Sequence, residues 1–175
     1  MFGFFKAKPK LVPAPLAAVT PRIDLKCFSC DGIELGSPMP GDAFFAKDID
    51  SEGIYANRGS GIELGVEEGV LDYIYITLAD FKGSLMEEGR AIGFGRHATE
   101  AEVEAVFGRP FHRDVDADGE VIRFHEYRSG KIELQFEFLP DRGLEVITVC
   151  RDGVLSGEEQ RRSYKVTRAW PPTDG

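Results

Sequence analysis

Residues 131–139 read as a strand, and from 131 to 138 the chain alternates without interruption. Ile132, Leu134, Phe136 and Phe138 interleave with Glu133, Gln135 and Glu137. A period of two places the first set on one face of a strand and the second on the other, so this segment belongs to a sheet with a dry side and a wet side. Pro140-Asp141-Arg142-Gly143 follows with turn composition, its glycine late in the loop. Residues 144–150, Leu-Glu-Val-Ile-Thr-Val-Cys, are apolar enough for a central strand. Residues 121–127 read as a third strand, entered from the turn Asp116-Ala-Asp-Gly119. Short connections between neighbouring strands make this an antiparallel meander.

The clearest helix spans residues 99–107. Thr99 and Glu102 stand at capping-box spacing, where each satisfies an orphan amide of the other. Val103, Val106 and Phe107 form one apolar stripe, Gly108 ends the helix, and Pro110 keeps it from restarting. A chain of 175 residues that is 42% apolar can bury a single core. The expected fold class is α+β, mostly antiparallel sheet with few short helices. Residues 1–22 read as an extended arm, because Pro9, Pro13, Pro15 and Pro21 remove donors and disfavour helix. Phe2, Phe4 and Phe5 of that arm are expected to dock on the body, since an exposed aromatic trio is a liability. Residues 23–155 form one domain. Residues 156–175 form a C-terminal segment, with a solvated turn or short helix at 156–162 and a frayed end from Trp170.

The first half can be laid over the second. Ile-Glu-Leu recurs at 62–64 and 132–134, each time shortly after a tyrosine, Tyr55 or Tyr127. Leu71, Ile74 and Ile76 then match Leu144, Ile147 and Val149. Two tandem helix–meander repeats, 32–78 and 91–149, are therefore expected to share one curved sheet, the first with a short, degenerate helix at 42–47. The second copy, with Ile92-Gly93-x-Gly95, Thr99-x-x-Glu102-Val103 and Phe107-Gly108-x-Pro110 before its strands, resembles the repeat of beta-lactamase inhibitor proteins and of the small outer-membrane lipoproteins of the barrel assembly machinery. That resemblance implies helices on one side of a continuous sheet and a partner on the other. It covers 91–149 well and 32–78 poorly. Near its start the chain has no lipoprotein signal or lipidation cysteine, and it lacks the cysteine pairs of secreted inhibitors. By fold analogy it is closer to small acidic immunity proteins, which cover the active site of a cognate toxin.

Charge and chemistry point the same way. The net charge is -9. Residues 1–30 carry Lys6, Lys8, Lys10, Arg22 and Lys26 against Asp24, whereas residues 31–80 carry eleven acidic side chains against Lys47 and Arg58. Nucleic acid is disfavoured as a partner and a basic protein suits the acidic region. No apolar run has membrane-spanning length, and with three cysteines and no signal-like start the chain is expected in the cytoplasm with reduced thiols. No cofactor or metal is expected. Cys27-Phe-Ser-Cys30 lacks the second ligand pair of a structural zinc, and Asp31-Gly32 after it argues for a turn rather than a redox helix start. The loop at Asp116 lacks a calcium-binding ligand pattern. Gly93-Phe94-Gly95 and Gly59-Ser60-Gly61 read as turns, not phosphate loops. His125 is expected on the sheet surface, with Glu126 on the opposite face and no nucleophile beside either. The first expectation is thus a non-enzymatic protein-binding module, with Tyr73, Tyr75, Glu133, Gln135 and Glu137 as its contact residues. The competing expectation is an enzyme or small-ligand carrier with a pocket between sheet and helix. A homo-oligomer paired through a free sheet edge is the third.

Overall fold

A computed structural model describes residues 19–173. In chain order these form β1 (Arg22–Asp24), β2 (Ser29–Cys30), β3 (Ile33–Glu34), β4 (Ile54–Asn57), β5 (Ile62–Glu67), β6 (Val70–Thr77), β7 (Ser84–Glu87) and β8 (Arg90–Ala91). Then follow α1 (Glu100–Phe107), β9 (His112–Val115), β10 (Val121–Tyr127), β11 (Ile132–Leu139), β12 (Gly143–Arg151) and α2 (Glu158–Ser163). The fold is α+β, dominated by strands in largely antiparallel sheets.

The large sheet has the order β4-β5-β6-β12-β11-β10-β9. Every neighbouring pair in it is antiparallel. It is two meanders, β4–β6 and β9–β12, joined where β6 meets β12, and β12 takes the central place its composition calls for. At that seam Ile76 pairs with Ile147, Tyr75 with Thr148 and Ile74 with Val149. The sequence match equates Ile74 with Ile147 and Ile76 with Val149, so the register crosses the equivalent residues as a local two-fold through Tyr75 and Thr148 would. Segment 42–47 is not a helix. It is a chain of tight turns, with Ala43 N donating to Pro40 O and Ala46 N to Ala43 O. Six residues after two prolines are too few to nucleate a helix. The segment instead buries Phe45 completely, against Phe44 and Tyr55.

A second, small sheet, β3-β2-β1-β7-β8, was not foreseen from the sequence. Its one parallel pair joins β1 to β7, with Ile23 opposite Leu85. Asp24 fastens it, its carboxylate accepting from the backbone of Lys26, Cys27, Glu88 and Gly89 at 2.7–3.1 Å. Asp31-Gly32 closes the β2–β3 hairpin with both residues at positive φ (49° and 82°), as a two-residue primed turn requires. The turn after Cys30 is thus as expected, and all three cysteines are free thiols.

The dry face of the large sheet packs on the small sheet and on α1. Leu134, Phe136, Ile147, Ile74 and Ile76 from the sheet share one buried cluster with Ile23 from β1, Leu25 just after it, and Val103 and Phe107 from α1. The helix begins as its spacing predicts: Thr99 N donates to Glu102 Oε2 at 2.8 Å, Glu102 N donates to Thr99 Oγ1 at 3.3 Å, and Gly108 caps the other end. Arg123, only 2% exposed, bolts α1 to the sheet by donating to Glu100 O at 2.7 Å and Glu104 Oε2 at 2.6 Å. His125 is a correction. It is not on the surface but 3% exposed under the helix, between the Phe107 and Phe136 rings. Burial, with Arg123 nearby, pulls it down to about 4, so it is neutral.

Candidate functional site

The register carries the wet side of β11 across the sheet as rows of side chains. One row runs Glu126, Glu133, Cys150, Tyr73, and the next runs Phe124, Gln135, Thr148, Tyr75, Glu63. The five contact residues read from the sequence do lie on this single face, yet the chain treats its two halves differently.

Over β10 and β11 the face is roofed. After β12 the chain turns back, and Phe111, Phe124 and Leu155 form a second buried cluster with Ile122, Tyr164, Val166 and Trp170 packed against it. Trp170, expected in a frayed end, stacks edge-on with Phe111 at 5.7 Å and lies under Arg161 at 4.8 Å. Glu133 is therefore not on open surface. It is completely buried, and its carboxylate accepts from Val154 N and Leu155 N at 2.9 Å each and from the Gln135 amide. These backbone donors start a short 3-10 turn that has no other side-chain cap. Gly153 sits so close over Glu133 that a Cβ there would overlap its side chain. Opposite, both carboxyl oxygens of Glu126 are buried and no donor reaches them. Burial first, and then Glu133, push Glu126 up to about 9, so Glu126 is protonated at neutral pH.

Over β5, β6 and β12 the face is open. There Tyr73, Tyr75, Gln135, Glu137 and Thr148 converge on the floor of a broad groove of about 620 Å³, and Gly153–Gln160 forms its wall. Tyr73 is set by two contacts. Its ring lies directly over Gly65, where a Cβ would overlap it, and its hydroxyl donates to Glu63 Oε1 at 2.6 Å. Burial and that bond to Glu63 push the phenol up, so it stays a donor. Gln135 is 7% exposed and contributes only an edge, its amide being turned to Glu133. Beyond Tyr75 the groove continues into an arm of about 350 Å³ lined by Glu63, Thr77 and Asp80, with Arg58 and Gly61 at its end. The main groove's arginine, Arg151, is ion-paired with Asp72 at 3.5 Å.

Thr148, Glu63 and Gln160 were missed in the sequence. The hairpin tip at Glu68-Gly69 alone would set Glu63 opposite Ile74; an irregularity between Gly65 and Val66 shifts the register by one and brings Glu63 opposite Tyr75. The wall residues carry no such signal. Among the described residues no group of three or more histidine, cysteine or acidic side chains is placed to hold a metal ion, and no helix is long and apolar enough to cross a membrane.

By fold and site the chain is an α+β protein of two joined antiparallel meanders, with an acidic, tyrosine-floored groove on the face away from α1. No family model and no curated protein matches it. It is similar to a solved DUF4309 family protein, YjgB from Bacillus subtilis, at 15% identity and a TM-score of 0.40, over 69% of this chain and 82% of that one. A likeness that low bears on neither fold nor activity.

Proposed function

We propose that the chain is a non-enzymatic protein-binding module whose contact surface is the open half of the wet face. One observation carries the reading: two tyrosines, Thr148 and Glu137 share a shallow, open-sided groove that the described residues wall but do not fill. Aromatic anchors beside carboxylates suit a basic partner, and rim acids speed its approach. In its sharpest form the partner is a toxin whose basic active-site surface is covered, the role the tandem-meander resemblance suggests by analogy. The catalytic alternative draws less support, because the most perturbed acid, Glu126, is sealed away from the groove and faces Glu133 rather than a reacting atom.

The test is affinity capture with the wild-type chain and the Tyr73→Ala/Tyr75→Ala double variant. Proteins that bind through the groove should be depleted roughly tenfold with the double variant. Retention of every wild-type partner would end the proposal. Genetic context offers a second check, since a large toxin-like reading frame beside this gene favours neutralisation and a metabolic operon argues against it.

A further inference from the structure

We infer that a second cleft, where the end of β3 meets the β10–β11 turn, is a binding site for a phosphate monoester of a small molecule. This lies beyond the protein-binding reading and stands or falls without it.

The cleft has a volume of about 440 Å³, within the range of small-molecule sites. Leu35 and Ile132, both buried, give it an apolar floor. Three cations line it, Arg128 and Lys131 from the β10–β11 turn and Arg151 from the end of β12, against the carboxylate of Asp152. A chain with a net charge of -9 thus gathers positive charge in one concave place.

Both arginines are held, yet their donors are not used up. Arg151 runs across Gly36, where a Cβ would meet its Cδ and Nε at 3.5 Å. Arg128 lies over the Phe28 ring at 5.3 Å. Each has a carboxylate nearby, Glu34 at 3.7 Å from Arg128 and Asp72 at 3.5 Å from Arg151, and both separations are longer than a good hydrogen bond. Solvated pairs of this kind contribute little, so they yield to a better acceptor. Lys131 is exposed and has no ion pair among the described residues. The turn that carries Arg128 and Lys131 is itself fixed. Arg128, Ser129 and Gly130 all stand at positive φ (52°, 56° and 79°). An arginine enters that region only under outside restraint. Trp170 and Pro172 supply the restraint by packing over Gly130, where a Cβ would overlap the indole. The cations are therefore placed before a ligand arrives, which lowers the cost of binding.

This donor set selects the ligand. A guanidinium presents two parallel donors to two oxygens, and an ammonium adds a compact charge. Two such forks and one ammonium match a dianion with three terminal oxygens better than a carboxylate with two. The apolar floor takes the organic part of the ester.

The experiment titrates the isotopically labelled full chain with phenyl phosphate at constant ionic strength, at about pH 8, where a phosphate monoester carries about two negative charges. Saturable shifts should appear at the amides of Gly36, Lys131 and Asp152, in an otherwise unchanged spectrum. Phenyl sulfate, with the same ring and one charge, and benzoate, with a planar head, should each bind about tenfold more weakly. Inorganic phosphate should move the same amides with lower affinity, because it leaves the floor uncovered. Lys131→Ala and Arg151→Gln should each weaken phenyl phosphate about tenfold. The Glu34→Gln/Asp72→Asn variant should tighten it about threefold by freeing both arginines. The spectrum of each variant reports its fold directly. Shifts that do not saturate or that spread over other basic surfaces overturn the inference. So does benzoate equal to phenyl phosphate, or an affinity indifferent to Lys131→Ala and Arg151→Gln. Inorganic phosphate binding as tightly as the ester would make this a site for the free ion and overturn the ester assignment.

Discussion

Glu133 and Glu137 lie on the same face of the same strand and have opposite surroundings. Glu133 is fully buried and spends its carboxylate on the backbone of the returning chain. Glu137 remains on the floor of an open groove. The strand itself does not distinguish them. The difference comes from what crosses above: residues 153–170 cover β10 and the Glu133 end of β11 and leave Glu137 with the open β5–β6–β12 half. Alternation therefore assigns a residue to a face, whereas exposure depends on whether the chain comes back over that face. Where it does, each polar group must find a partner inside, because an unsatisfied buried group costs about 1–3 kcal/mol. Where it does not, the same residue types are left for another molecule.

The covered half should be energetically part of the core. Phe124, 1% exposed, holds the roof against the sheet. Phe124→Ala should lower stability by about 4 kcal/mol in urea unfolding. A loss below about 1 kcal/mol would mean that the roof is only loosely laid on the sheet. Glu133→Ala comes next. It removes both acceptors of the 3-10 turn and should cost about 3 kcal/mol, against less than about 1 kcal/mol for Glu137→Ala. Equal costs at the two positions would erase the contrast between the halves.

Much of this was readable, and what was not has physical reasons. Strands β10, β11 and β12 and helix α1 were plain because their periodicities and the Thr99–Glu102 cap are local properties. The small sheet was invisible because strands of two to four residues carry no period. The roof did leave a sign. In β10 the expected polarity is inverted: register places Arg123 and His125 on the dry face, opposite Phe136 and Leu134, and turns Ile122 and Phe124 to the wet face. Two large apolar side chains on a nominally wet face require a cover. Tyr164, Val166 and Trp170 were the apolar residues in an otherwise polar tail free to supply it. Reading β10 by its register with β11, rather than by its own composition, would have moved His125 inside and Glu133 under the roof. The groove's tyrosines were legible from alternation alone because nothing in the described chain returns over them.

The pH dependence of stability sharpens the comparison, because the groups with the largest opposed shifts lie under covers on opposite faces. Glu126 titrates near 4.5 when unfolded and is pushed up to about 9 when folded. Its contribution is fully present below pH 4.5 and disappears as pH rises to 9. His125 goes from 6.5 down to about 4, so its contribution is present above 6.5 and lost as pH falls toward 4. Between 4.5 and 6.5 the two oppose each other. From 6.5 to 9 Glu126 acts without His125. The Tm should therefore decline across that upper window, and Glu126→Gln should flatten the decline. An identical slope in the variant would mean that the acid under the roof is already ionised.

The smallest effect belongs to the open half. Tyr73→Phe deletes the hydroxyl that donates to Glu63 but keeps the ring over Gly65. Both groups are partly solvated, so water replaces the lost partner and the cost in stability should be about 0.5–1 kcal/mol. Gly65→Ala is different, since its Cβ would displace the ring and alter the groove floor while leaving the hydroxyl intact. If the groove recognises its occupant through the placed aromatic ring, Gly65→Ala should weaken occupancy more than Tyr73→Phe does. The reverse order, measured as the amount of partner each single variant retains in affinity capture, would make the hydroxyl–carboxylate pair the recognition element and the ring its scaffold.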